Sequence, residues 1–75
     1  MKIINEKPEH NVAPKWATYL AQDPTGNWVW YNGKPVIDEG EQWIFDGNTY
    51  EISKYSTDPK NWKDSCERIS SNRGT

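Results

Sequence analysis

The chain has one cysteine and one histidine in 75 residues, and only 33% of its residues are hydrophobic. A lone cysteine, Cys66, forms no internal disulfide. Secreted domains of this size are commonly stapled by several, so a reducing, cytoplasmic setting is the expectation. One histidine and one cysteine provide no zinc set. The acids Asp38, Glu39 and Glu41 do not follow calcium-loop spacing, and Gly33, Gly40 and Gly47 fall in separate turns without forming a phosphate loop. No apolar run is long enough for a membrane helix or a signal-peptide core. The net charge of −2 lacks the basic excess of a nucleic-acid binder. Cys66 has His10 as its one possible base, which makes nucleophilic catalysis a poor fit. A non-enzymatic chain with no metal and no cofactor is expected.

Aromatic side chains are plentiful. There are five Trp, four Tyr and one Phe. Each large ring can bury about 150–250 Å², so a few rings can replace many aliphatics. The densest stretch is Asn27-Trp28-Val29-Trp30-Tyr31-Asn32. Its β-branched and aromatic content suits a strand. Asp23-Pro24-Thr25-Gly26 before it has the residue order of a tight turn, so residues 15–22 and 27–32 form a hairpin. Asn32-Gly33 marks a second turn, followed by Lys34 to Ile37 as a short edge segment because Pro35 cannot donate to a ladder. Asp38 to Glu41 reads as a polar loop. Gln42 to Phe45 and Asn48 to Ser53 read as a second hairpin about Asp46-Gly47. Asp58 as N-cap and Pro59 at the first position start a helix. Its apolar stripe is Trp62, Cys66 and Ile69.

The expected fold is a β-rich α+β protein: a small antiparallel three- to four-stranded meander with one short C-terminal helix. Residues 1–13 are expected to form a flexible lead-in, with Ile3 and Ile4 pairing briefly on a sheet edge. Residues 14–70 are the single domain, and 71–75 are a tail. Trp28 and Trp30 share one sheet face, and Val29 and Tyr31 the other. Both faces are apolar, and one helix covers one of them. The surplus packs on the lead-in, forms a homodimer or binds a partner, and core packing is the commoner role for such rings in small domains. From Pro35 to Ser53 there are five acids and no Lys or Arg. Trp28, Trp30, Tyr31 and Trp43, with Asp38, Glu39 and Glu41, are therefore the candidate partner-binding residues. Rings would act as anchors, and acids would set orientation and association rate.

Residues 14–35 resemble a pattern in short, uncharacterised phage and prophage proteins. Trp16, Ala17, Tyr19, Ala21, Asp23, Gly26, Trp28, Trp30, Tyr31, Lys34 and Pro35 carry the match, with Trp43, Gly47 and Tyr50 further on. The resemblance implies a small modulator that binds a host or phage protein. Residues 40–62 also resemble chitin-binding modules, with Trp43, Tyr50 and Trp62 at comparable places. This second resemblance implies a carbohydrate-binding surface of exposed rings, with Tyr55 alone where that family has paired surface aromatics.

Overall fold

The computed structural model describes residues 3–39 and 42–69. Within them the chain forms six strands: β1 (Tyr19–Gln22), β2 (Asn27–Tyr31), β3 (Val36–Asp38), β4 (Gln42–Ile44), β5 (Tyr50–Ser56) and β6 (Glu67–Arg68). Four of them make an antiparallel sheet in the order β5-β2-β1-β6, and β3 and β4 pair apart from it.

The first hairpin forms as its turn residues dictate. Asp23 Oδ1 accepts from the amides of Thr25 (2.9 Å) and Asn27 (3.0 Å), and the Gly26 amide donates to the Asp23 carbonyl at 3.0 Å. Gly26 has φ +103°, a region that side chains with a Cβ rarely enter. Leu20 pairs with Trp30 and Ala21 with Val29, so the two strands present matched faces. Leu20, Trp28 and Trp30 meet Ala17 and Ile69 on one face, and Ala21, Val29 and Tyr31 form a second cluster on the other.

The second hairpin is corrected. β4 pairs with β3 through Val36–Ile44, Ile37–Trp43 and Asp38–Gln42, while β5 pairs with β2. The chain therefore reverses between Asp38 and Gln42, and Asp46-Gly47 becomes part of a connection. Packing accounts for the choice. Trp43 packs on the Tyr31 cluster, and its Nε1 donates to the Gln22 carbonyl at 2.7 Å. The Phe45 ring lies against Gly47, where any Cβ would meet its Cζ at 2.2 Å. A chain held at both points leaves β5 free to take the exposed edge of β2.

The C-terminal helix is also corrected. Asp58 does cap, accepting from the Lys60 amide at 3.0 Å with Pro59 next in the chain. The capped segment is a six-residue 3-10 turn, Pro59–Asp64, kinked at Asn61. Asn61, Asp64 and Ser65 are poor α-helix formers, and Trp62 is held edge-on to Trp43 with ring centroids 6.0 Å apart. Cys66 and Ile69 do not share a stripe. Cys66 packs on the Tyr31 cluster and Ile69 in the Trp30 cluster, which is the two-residue alternation of a strand.

Neither face of the sheet depends on a helix for its cover. The β3–β4 hairpin lies over one. The lead-in lies over the other, with Pro8 fully buried and Ala13 and Trp16 packed on the Trp30 cluster. Ile4 forms a parallel bridge to Tyr55, with its amide on the Lys54 carbonyl and its carbonyl on the Ser56 amide, each at 2.9 Å. Lys7 Nζ donates to Glu67 at 2.6 Å and sits 5.7 Å from the Trp28 ring centroid. His10 Nε2 also contacts Glu67. The 71–75 tail lies outside the described residues.

Candidate binding surface

The rings expected to anchor a partner are core. Trp28, Trp30 and Tyr31 keep 6%, 3% and 7% of their surface. Trp28 Nε1 also donates to Thr57 Oγ1 at 2.9 Å, so its polar edge is satisfied inside the molecule. Trp43 is half-buried beneath its own hairpin. These four side chains therefore build the platform, and the surface they support is made by other residues.

That surface begins on the outward face of the hairpin. Ile37 and Trp43 point inward, so their neighbours point out. Val36 and Ile44 are cross-strand partners that remain 51% and 44% exposed. Phe45, Lys34 and Asp46 join them around a shallow recess. Phe45 meets Tyr31 edge-on at 4.9 Å between centroids, and Tyr31 stacks with Tyr50 at 6.3 Å. Tyr50 and Ile52, on the same sheet face as Tyr31 and Val29, are 62% and 57% exposed. An apolar stripe thus runs from Val36 and Ile44 across Phe45 to Tyr50, bridged from beneath by the buried Tyr31 ring.

Acids border the stripe. Asp38 accepts from Gln42 Nε2 at 3.1 Å on the outward hairpin face, and Asp46 is exposed beside the recess. Glu39 is exposed in the hairpin turn with φ +35°, a left-handed conformation uncommon for a residue with a side chain. Glu41 lies outside the described residues. Glu51 points to the opposite sheet face, opposite Trp30. There it borders an open groove of about 740 Å³ formed with Ile3, Val12, Trp30, Ile52 and Tyr55.

No protein-family model, curated protein or solved structure matches this chain.

Three titratable groups, Tyr31, Cys66 and Glu67, are displaced from their ordinary values. Burial, reinforced by the negative charges of Asp23, Cys66 and Tyr50, pushes the Tyr31 phenol up to about 12. Burial likewise pushes the Cys66 thiol up; the Lys34 charge opposes it without cancelling it, and Glu67 adds a smaller upward push. A raised thiol is less of a nucleophile near neutral pH. Burial alone would raise the Glu67 carboxyl, but the hydrogen bonds and charges of Lys7 and His10 outweigh it and hold it below the ordinary range. Glu67 belongs to the fastening of the lead-in, far in sequence from the exposed stripe. Among the described residues no helix is long and apolar enough to cross a membrane.

Sequence reasoning left Val36, Ile44 and Ile52 out of the candidate surface, and placed Tyr50 only in the resemblances. The alternation about Trp43 could have found Ile44, since a ring turned inward sends its neighbours outward.

Proposed function

We propose that this chain is a small non-enzymatic protein of phage or prophage origin that modulates or inhibits a host or phage protein by binding it directly. The observation that carries this reading is the exposed apolar stripe of Val36, Ile44 and Tyr50 with acids along its margin. Single exposed apolar residues are ordinary, but a connected group with a charged border is the composition of an interface. Apolar contacts would provide the binding energy. Asp38, Glu39 and Asp46 would orient a basic partner surface and speed its approach. The resemblance of residues 14–35 to phage proteins supports the same reading. The carbohydrate reading has less to draw on, because Trp28 and Trp30 are buried and Trp43 and Trp62 pack on each other.

The test pairs the native chain with a Val36→Ser/Ile44→Ser variant in affinity capture from bacterial lysate, identified by mass spectrometry. Both side chains are largely outside the core, so folding should change by no more than about 0.5–1 kcal/mol. One bacterial or phage protein should be retained by the native chain and lost with the variant, and retention should weaken as salt rises. Equal capture by both chains would refute the assignment of the surface. Salt-insensitive retention on chitin, with no protein captured, would favour the carbohydrate reading.

A further inference from the structure

The hydrogen-bond phase of β5 shows which of its backbone groups are already engaged. The Asn32 amide donates to the Thr49 carbonyl at 3.1 Å. The register continues as Tyr31–Tyr50, Trp30–Glu51 and Val29–Ile52. Bonded and non-bonded pairs alternate in an antiparallel ladder, so Trp30–Glu51 is a bonded pair. The N–H and C=O groups of Tyr50 and Ile52 therefore point away from β2. The same phase holds further along, where the Lys54 carbonyl and Ser56 amide face outward and are taken by Ile4. The lead-in thus covers the last part of the β5 edge. Among the described residues, Tyr50 to Ile52 retain an outward ladder flanked by two exposed apolar side chains.

We infer that this edge accepts an extended segment of the partner protein as an added strand, with the pattern apolar–basic–apolar. The inference rests on the protein-binding reading above and specifies its mode. Tyr50 and Ile52 share one face, so the incoming residues opposite them are apolar. Glu51 points to the other face, beside the groove, so the residue opposite it is Lys or Arg. Cross-strand pairs of opposite charge stabilise a sheet, and like charges destabilise it. That rule also speaks against a second copy of this chain. Two β5 edges joined antiparallel about a two-fold axis through residue 51 would set Glu51 against its own copy. Moving the axis toward Lys54 would drive the copy into Ile4. Natural proteins use such inward or edge charges to block self-pairing.

The test uses the full chain, labelled for NMR, with two ten-residue peptides of Ser and Thr around a central Val-Lys-Val or Val-Glu-Val. The Lys peptide should shift the Tyr50 and Ile52 amides and bind roughly tenfold more tightly than the Glu peptide. Glu51→Lys should reverse that order. Ile52→Pro should abolish binding while the spectrum stays folded, because the lost N–H points away from β2 and proline is tolerated on an edge. Binding of neither peptide, equal binding of both, or a concentration-dependent dimer by light scattering would overturn strand addition. The protein-binding reading stands or falls separately, on capture by the native chain and its loss in the Val36→Ser/Ile44→Ser variant.

Discussion

Replacing Gly26 by alanine should cost this protein a large share of its stability. At φ +103° the turn residue lies where a Cβ is strained, at a cost of about 1–3 kcal/mol. Space is the second problem. A Cβ there would stand 2.5 Å from the Thr57 carbonyl oxygen and 3.3 Å from Ser56 Oγ. Thr57 is backbone that cannot swing away cheaply, because its amide donates to the Gly26 carbonyl at 3.0 Å. Gln22 ties the same place together. Its buried Nε2 lies 3.1 Å from the Gly26 carbonyl and 2.8 Å from the Thr57 carbonyl. Parting these segments weakens two or three hydrogen bonds, each contributing about 1 kcal/mol. The sum is about 3–6 kcal/mol, against a total of about 4–11 kcal/mol for a chain of this length. Thermal unfolding followed by circular dichroism should show the midpoint falling by roughly 12–48 °C. Gly33→Ala is the control. Its Cβ would find only the Phe45 ring at 3.4 Å, and the loss should stay under about 0.5–1 kcal/mol. A Gly26→Ala midpoint within a few degrees of native, or equal losses at both glycines, would refute the reasoning.

Two further expectations concern titration. Glu67 is held below its ordinary pKa in the folded state, so its contribution is present above the unfolded value of 4.5 and is lost as pH falls through the folded value. Denaturant titrations should show stability dropping below about pH 4.5, and Glu67→Gln should flatten that part of the curve; an unchanged profile would remove Glu67 from the fastening. Cys66 should react with iodoacetamide at pH 8 more slowly than the same residue in the unfolded chain, since burial holds the thiol up; equal rates would contradict its packing against the Tyr31 cluster.

The parts of this fold that were legible in the sequence are those decided by neighbouring residues. Asp23-Pro24-Thr25-Gly26 specifies its turn through contacts within five residues, and the hairpin forms around it. The alternation of Trp28 and Trp30 against Val29 and Tyr31 correctly predicts two apolar faces. Asp58-Pro59 correctly marks a start, although the segment continues as 3-10 rather than α. Distant contacts decided the rest. Asp46-Gly47 is a good hairpin signal in isolation, yet Trp43 reaching Gln22 draws β4 to β3. The spacing of Cys66 and Ile69 fits one helical stripe, and equally fits two faces of a strand once Glu67 pairs with Leu20. The candidate surface was misplaced for a related reason. A run of tryptophans serves more often as core than as contact, and here the lead-in, polar in composition, settles which. Its Pro8, Ala13 and Trp16 close the face that composition alone leaves open.

The position of Ile69 has a consequence for how the chain is born. This residue belongs to the same cluster as Leu20, Trp28 and Trp30, and β6 forms the border of the sheet beside β1. On the opposite border, Ile4 covers only the end of β5, at Tyr55. During synthesis, the ribosome would release the tryptophan-rich hairpin long before the residues that finish its core. A nascent chain stopped before residue 69 must leave part of that cluster open to water or to chaperones, and its pairing partners are far apart in sequence, which slows closure. Folding therefore waits for the residues through Ile69, and removing β6 should affect solubility in the cell before it affects any interaction on the exposed stripe.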